Sequence, residues 1–146
     1  MNNSYSVLFL EDEPTIRDVL TEYMSLSGYQ VTAVADGDQA IGLLRTQTFH
    51  IAVLDIMVPG ASGFDVLQFI QQHSPDTAVI MLTALEDETS QVKAFNLYAD
   101  DYIIKPVSPI ILLKRMETIL RRTASNPAST TASQNGLSLK EESYSA

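Results

Sequence analysis

Ile51-Ala52-Val53-Leu54-Asp55 is the stretch of this sequence that says most about its fold. Its first four residues are apolar, and a short apolar run bounded by polar residues predicts a β-strand that is buried on both faces. Asp55 then lies at the carboxyl end of that strand. In an open α/β sheet, ligands bind in the crevice outside the carboxyl ends of the strands. Asp55 is therefore the first candidate for a functional residue.

Signals for strands and helices alternate five times along the chain and predict an α/β fold. Apolar runs predict the strands, while apolar residues at helical spacing, flanked by capping residues, predict the helices. Alternation of this kind implies a five-stranded parallel sheet with helices on both faces, a three-layer arrangement with right-handed crossovers. The predicted strands cover residues 7–10, 31–34, 51–54, 78–82 and 102–104.

The last two predicted helices differ in how well their ends are defined. The fourth is polar and is expected to start near Glu86, because acidic residues in a first turn interact favourably with the positive helix N-terminus. Its apolar face is thin and contains Val92 and Phe95, with Leu97 as a further candidate. The fifth has clearer signals, since Ser108 is a suitable N-cap and Pro109 fits the first helical position.

Composition and charge exclude several classes of protein. The 146 residues are 45% hydrophobic, enough for one compact domain with a short extra segment, and the absence of cysteine excludes disulfides and thiolate metal sites. A formal net charge of −9 argues against binding nucleic acid through the general field of the domain. No apolar run approaches the ~18–20 residues of a membrane span, and residues 1–4 lack the basic start of a signal peptide. We therefore expect a cytoplasmic protein without membrane contact.

The composition changes near residue 123. Residues 124–135 are almost entirely Ser, Thr, Ala, Asn, Gln and Pro, which cannot bury a core and predict a flexible linker. Leu137 and Leu139 then alternate with polar residues, which is a weak strand signal. We expect residues 1–122 to form the domain. Residues 123–146 are interpreted as a linker, followed either by the first strand of a further domain or by an ordinary disordered tail.

Polar residues follow the predicted strands at the edge where their carboxyl ends meet. Glu11 and Asp12 follow the first strand, and Asp55 follows the third. Thr83 follows the fourth strand and Lys105 the fifth. Three carboxylates this close repel one another, so we expect a divalent cation among them, and oxygen ligands favour Mg²⁺. An aspartate beside a hydroxyl, a lysine and Mg²⁺ has the parts that phosphoryl transfer to the aspartate needs.

Each of these residues has an ordinary explanation when taken alone, as a solvated loop acid, a helix cap or a lysine in a turn. Taken together, with the residues that flank them, they resemble the receiver domain of two-component response regulators. The resemblance covers about residues 5–122 and implies the flavodoxin-like strand order 2-1-3-4-5. The matching segments are residues 10–13, 53–60, 82–84 and 99–106.

The resemblance implies which residues hold the metal ion and the phosphoryl group. Asp55 would be the phosphoacceptor. Glu11, Asp12 and Asp55 would hold Mg²⁺ together with the backbone carbonyl of Met57. We expect Asp12 and Asp55 to bind the ion directly and Glu11 to act mainly through water.

The resemblance also implies a switch rather than a turnover enzyme. Thr83 would contact the phosphoryl group, and Lys105 would pair with it. Tyr102 would be the aromatic residue that turns inward on activation. The phosphoryl donor would be a phosphohistidine on a sensor histidine kinase, and the domain would catalyse only its own phosphorylation and dephosphorylation.

The end of the last helix and the linker resemble the subfamily whose second domain is a winged helix that binds DNA. DNA binding and transcription regulation would then belong to a domain beyond residue 146. By the same resemblance, phosphorylation produces a homodimer through the fourth helix, fifth strand and last helix. We expect Asp101 and Arg115 to pair across the interface, and we expect the dimer to be weak because several charges are missing. Ile111 and Glu117 depart from the usual charges of this face, and Tyr98 stands where the family usually has Gly. The charged residues expected at the dimer face are Asp100, Asp101, Arg115, Arg121 and Arg122.

Two alternative functions stay open from the sequence. A stand-alone receiver that passes phosphoryl groups along a relay would need no output domain. A Mg²⁺-dependent phosphatase with an aspartyl nucleophile is the enzymatic alternative. Such enzymes, resembling the haloacid dehalogenase family, carry an Asp-x-Asp motif after the first strand, whereas Met57 stands two residues after Asp55.

Overall fold

The computed structural model describes residues 5–124 and contains all five predicted strands and helices. Apart from Thr123 and Ala124, which end the last helix, the predicted linker and the strand signal at residues 137–139 lie outside these residues. No helix between residues 5 and 124 is long and apolar enough to cross a membrane. The strands are β1 (Ser6–Leu10), β2 (Gln30–Val34), β3 (Ile51–Leu54), β4 (Ala78–Thr83) and β5 (Asp101–Ile104). The helices are α1 (Pro14–Leu26), α2 (Gly37–Leu44), α3 (Gly63–His73), α4 (Glu88–Asn96) and α5 (Pro109–Ala124).

The five strands form one parallel sheet in the order β2-β1-β3-β4-β5, which confirms the flavodoxin-like prediction. β3 is the central strand, and all four of its residues are buried, as its continuous apolar run predicted. Leu10 at the end of β1 lies opposite Leu54 at the end of β3. Because these strand ends are level, the residues that follow them emerge side by side at the same edge.

Two hydrophobic clusters cover the two faces of the sheet. Side chains of a strand alternate between faces, so Phe9 and Leu10 belong to different clusters. Helices α1 and α5 cover one face, with Met24 and Met116 fully buried there. Helices α2, α3 and α4 cover the other, where Leu67 is fully buried. The predicted three-layer arrangement is confirmed.

The structure corrects the prediction for the fourth helix. α4 begins two residues later than Glu86, because Asp87 is its N-cap and its side chain accepts a backbone hydrogen bond from the first turn. Two residues of the predicted apolar face lie at the surface, since Val92 is 50% exposed and Phe95 49% exposed, whereas Leu97 is partly buried against the core. Ala94 is the residue that α4 buries completely. The helix therefore packs through a small side chain and leaves its larger apolar side chains at the surface.

Tyr98 follows α4 in a left-handed backbone conformation, with φ of 68°. The conformation allows the N–H of Ala99 to donate to the carbonyl of Ala94, 3.0 Å away, and so closes the end of the helix. A residue with a Cβ pays about 1–2 kcal/mol in this region, because the Cβ approaches the following carbonyl oxygen. The side chain of Tyr98 offers no visible compensation within residues 5–124, since the residue is 74% exposed.

Candidate functional site

The ends of β1, β3, β4 and β5 bring the predicted site residues to one edge of the sheet. The backbone N–H of Asp55 donates to the carbonyl of Leu10, 3.1 Å away, so the sheet ladder continues into the site. In the same way, the N–H of Lys105 donates to the carbonyl of Thr83, 2.8 Å away. These residues are held by the sheet itself rather than by mobile loops.

Three of the predicted ligands form a compact acidic group. Glu11, Asp12 and Asp55 each offer a carboxylate oxygen, and the three oxygens lie within 4.8 Å of one another. Glu11 and Asp55 are buried, whereas Asp12 is exposed to solvent. Mg²⁺ takes hard oxygen ligands, usually one or two carboxylates, and keeps several waters. An all-carboxylate group that is open to solvent on the Asp12 side fits that ion.

The fourth predicted ligand, the carbonyl of Met57, stays a prediction. Met57 follows the site closely, because its backbone N–H lies 3.3 Å from Oδ1 of Asp55 and donates to it. Its side chain is 67% exposed. This hydrogen bond holds Oδ1 of Asp55, the predicted phosphoacceptor, while Oδ2 faces Lys105.

Lys105 joins two of the acids. Its Nζ lies 2.7 Å from Oδ2 of Asp55 and 2.6 Å from Oε1 of Glu11. Burial lowers the pKa of Lys105, but its hydrogen bonds with Asp55 and Glu11 outweigh that effect and raise the pKa above its usual value. The ammonium group is therefore charged at neutral pH, as the prediction for a phosphoryl partner requires. Sequence reasoning assigned Glu11 to the metal alone and missed its contact with Lys105.

The two predicted switch residues both contact Leu85, in the loop between β4 and α4. Thr83 is buried, and its Oγ1 accepts a hydrogen bond of 3.4 Å from the N–H of Leu85. The hydroxyl of Tyr102 donates to the carbonyl of Leu85, 2.8 Å away. Burial, and then the charges of Asp87 and Asp55, raise the pKa of Tyr102, so its hydroxyl keeps the proton that it donates. The change of both residues on activation stays a prediction.

Gly63 packs directly against the strand that carries Asp55, and the sequence did not single it out. It is the first residue of α3, and a Cβ there would lie 2.2 Å from the carbonyl oxygen of Asp55. Its N–H donates to the carbonyl of Ile56, 3.0 Å away. The signal that could have identified it is its place directly after Ser62, the N-cap of α3, where a residue with a side chain would serve the helix better.

The pairing expected across the dimer face stays a prediction, and the structure adds a contact within one chain. Asp101 and Arg115 are expected to pair between two subunits, and within the chain Nη1 of Arg115 lies 2.7 Å from Oδ2 of Asp101. Their positions explain this, because β5 and α5 are neighbours in the fold. Asp100 is also engaged, since its Oδ2 accepts a hydrogen bond of 2.8 Å from the N–H of Val79. Arg121 and Arg122 lie in the last turn of α5.

Comparisons with known proteins agree with this arrangement. The family model described as the response regulator receiver domain matches residues 7–117. The chain is 39% identical over 138 residues to the "Probable transcriptional regulator ycf27" of Cyanophora paradoxa, covering 94% of this chain and 57% of that protein. It is 40% identical over 117 residues to "Response regulator RR06" of Streptococcus pneumoniae serotype 2, covering 80% of this chain and 54% of that protein. The chain thus spans about half the length of these curated relatives.

A solved structure of a response regulator supports the same fold. The response regulator DrrB, described as a Thermotoga maritima OmpR/PhoB homolog, superimposes with a TM-score of 0.74 and 34% sequence identity. The match covers 82% of this chain and 54% of the DrrB chain. With 34% sequence identity, the two proteins resemble each other in amino-acid sequence as well as in fold.

Proposed function

This chain belongs to the response regulator receiver domain family, and we propose that Asp55 is the residue on which it is phosphorylated. The observation that carries the proposal is the position of Lys105, whose Nζ lies 2.7 Å from Oδ2 of a buried Asp55. A fixed cation at this distance neutralises charge that develops on a transferring phosphoryl group. Thr83, at the end of the neighbouring strand, supplies a hydroxyl at the same edge.

The acidic group is proposed to hold Mg²⁺, with Asp12 and Asp55 as direct ligands and Glu11 acting through water. The carbonyl of Met57 would complete the protein ligands. When bound, the ion supplies positive charge to the phosphoryl oxygens. Asp55 provides the nucleophilic oxygen, and the ammonium group of Lys105 compensates the negative charge of the Asp55 carboxylate.

The proposed transfer forms one bond and breaks one. A carboxylate oxygen of Asp55 attacks the phosphorus of a phosphohistidine, and the P–N bond breaks as the O–P bond forms. The histidine leaves with the electron pair, and the product on the chain is an acyl phosphate. The proposed donor is a sensor histidine kinase, and the cytoplasmic location predicted from the sequence remains a prediction.

A small phosphodonor tests this assignment without the kinase. Wild-type protein treated with acetyl phosphate or phosphoramidate in the presence of Mg²⁺ should gain the mass of one phosphoryl group. Asp55→Asn should gain none, whereas Asp76→Asn, which changes an exposed acid at the opposite edge of the sheet, should be labelled like wild type. Full labelling of Asp55→Asn would place the acceptor elsewhere.

We also propose that the receiver controls transcription through a DNA-binding domain outside the described residues. The support is that the match covers only 57% and 54% of the two curated relatives and that one is named a transcriptional regulator. The net charge of −9 makes the domain itself a poor ligand for DNA. Sequencing the gene beyond the codon of residue 146 tests the proposal. A stop codon directly after it would favour the stand-alone relay receiver instead.

The phosphatase alternative makes a different prediction about turnover. An aspartyl phosphatase would hydrolyse many equivalents of a small phosphate ester, while a switch would release little more than one equivalent of phosphate in the same time. A steady-state assay with p-nitrophenyl phosphate and Mg²⁺ separates the two functions. Sustained turnover that disappears in Asp55→Asn would support the phosphatase.

A further inference from the structure

Arg17 lies on α1, outside the acidic group, and reaches back to it. Its Nη1 donates a hydrogen bond of 3.0 Å to the backbone carbonyl of Glu11. Its own N–H donates to the carbonyl of Glu13, 2.9 Å away, which places Arg17 in the first turn of the helix. A rigid helix therefore carries the guanidinium group that holds the backbone of the acidic loop.

The bond matters because of which peptide group it holds. The carbonyl of Glu11 belongs to the peptide that joins Glu11 to Asp12, so fixing its direction also fixes the Cα of Asp12. The side chain of Glu11 has partners of its own, since it accepts from the N–H of Glu13 at 3.0 Å and from Lys105 at 2.6 Å. Within residues 5–124, the carboxylate of Asp12 has no hydrogen bond or ion pair, so its direction depends on its backbone.

We propose that Arg17 is a positioning residue, which orients Asp12 toward the metal ion by holding the Glu11–Asp12 peptide. The inference rests on the proposed function, because it takes Asp12 as a Mg²⁺ ligand. A ligand on a loop must be held close to its productive geometry if the site is to bind the ion well. Arg17 holds this peptide from α1, which packs against the sheet through Leu20 and Met24.

The direction in which the Mg²⁺ affinity changes when Arg17 is replaced shows whether Arg17 acts through its hydrogen bond or through its charge. Arg17 is a cation near three carboxylates, so removing its charge alone would strengthen the attraction of the site for Mg²⁺. Removing its hydrogen bond frees the peptide and weakens the hold of Asp12 on the ion. The two effects change the Mg²⁺ affinity in opposite directions, and positioning predicts that the affinity falls.

A Mg²⁺ titration by calorimetry tests the proposal on the full 146-residue chain. Arg17→Met, which keeps the aliphatic stem, should bind Mg²⁺ about tenfold more weakly than wild type, which corresponds to about 1.4 kcal/mol. Arg17→Lys keeps the charge and one donor group and should be about threefold weaker than wild type. Arg45→Met is the matched control, because Arg45 lies over the Phe69 ring at the far end of α2 and should change the affinity less than twofold.

A double-mutant cycle supplies the readout that a general loosening of the fold would not give. In an Asp12→Ala background, Arg17→Met should cause no further loss of Mg²⁺ affinity, because the ligand that it positions is absent. Equal or tighter binding in Arg17→Met, or a full further loss in the Asp12→Ala background, would overturn the proposal. If Arg17→Met does not fold, Arg17→Lys decides, and an affinity equal to wild type overturns it.

The same titrations separate this inference from the proposed function. If wild type binds no Mg²⁺, or if Asp12→Ala binds as tightly as wild type, the proposed metal site is wrong. If Asp12→Ala loses affinity while Arg17→Met does not, the metal site stands and only the role of Arg17 is wrong.

Discussion

The ammonium group of Lys105 lies 2.6 Å from the carboxylate of Glu11, as close as it lies to the predicted phosphoacceptor. The side chain of Glu11 is 1% exposed, so the lysine is its main source of compensating charge. One cation thus neutralises acids from two different strands before any phosphoryl group arrives. The ammonium group has three N–H donors and uses two of them here, so the same lysine can also reach a phosphoryl group on Asp55.

The first prediction concerns the stability of the metal-free domain. Lys105→Met should lower the free energy of unfolding by about 3 kcal/mol, because it leaves the buried carboxylate of Glu11 without a compensating positive charge. Urea unfolding measures the change, and added Mg²⁺ should restore part of it. Lys114→Met is the control, since Lys114 lies 3.7 Å from Glu117 in an exposed pair and should change stability by less than about 0.5 kcal/mol. Equal losses in both variants would contradict the prediction.

The same lysine predicts how stability depends on pH. Burial lowers the pKa of Lys105, but the hydrogen bonds with Asp55 and Glu11 outweigh it, so the folded pKa is raised above the usual 10.5. A lysine whose pKa is higher in the folded than in the unfolded protein stabilises the fold fully at a pH below its unfolded-state pKa. This stabilisation is lost as the pH rises through its folded-state pKa. The stability difference between wild type and Lys105→Met should therefore stay constant from pH 8 to about 10 and shrink above about 10.5. A difference that shrinks already below pH 9 would show that the lysine is not held in this way.

A third prediction concerns the contact between α3 and the phosphoacceptor strand. Gly63→Ala should destabilise the domain by about 2–3 kcal/mol, because its Cβ would lie 2.2 Å from the backbone oxygen of Asp55. Gly42→Ala is the matched control, since a Cβ at Gly42 in α2 meets nothing within 4 Å and should stabilise that helix by about 1 kcal/mol. Chemical denaturation of the two variants should give changes in the free energy of unfolding of opposite sign. No change in Gly63→Ala would show that the backbone shifts at little cost to accommodate the Cβ.

The sequence predicted most of the fold because each strand is a short apolar run. The short apolar run Ile51–Leu54 predicted a strand buried on both faces, and the rule that parallel strands end at one edge then brought Asp55 to the acids after β1. The contact of Lys105 with Glu11 could not be predicted, since it depends on which of three close acids the lysine reaches.

The errors have physical causes as well. The surface of α4 was misjudged because apolar spacing does not reveal which face a helix buries, and here Ala94 rather than Phe95 is inside. The contact of Asp101 with Arg115 within the chain was not predicted, because opposite charges on one face look the same whether they meet within a chain or across a two-fold axis.

The strained turn after α4 gives a fourth prediction. Tyr98→Gly should stabilise the domain by about 0.5–1 kcal/mol, because it relieves the left-handed backbone at φ of 68° and that relief exceeds the added entropy of the unfolded glycine. Tyr98→Ala removes the same ring but keeps a Cβ, so it should bring no gain. Thermal or urea unfolding compares the two variants. If alanine stabilises as much as glycine, the benefit comes from losing the exposed ring rather than from the backbone.

The last predictions concern assembly through α4, β5 and α5. Asp101 and Arg115 pair within the chain, so we expect apolar contacts on this face to contribute to the stability of a homodimer as well. Apolar residues are available there, since Phe95 on α4 is 49% exposed and Ile111 on α5 is 47% exposed. Burying apolar area contributes about 25 cal/mol per Å². These side chains flank the edge strand β5 from both sides, which suits a two-fold interface.

We expect the protein to form a weak dimer when beryllofluoride occupies the phosphoryl position, with a dissociation constant of roughly micromolar or poorer, equivalent to about 8 kcal/mol at 1 μM. Sedimentation velocity over a concentration series measures it. Ile111→Asp should abolish the dimer, because it would bury a charge in an apolar contact. Leu26→Asp is the control, since Leu26 is 79% exposed on α1, outside this face, and its replacement should leave the dimer unchanged. A tight dimer that ignores both beryllofluoride and Ile111→Asp would mean that another surface of the chain assembles it.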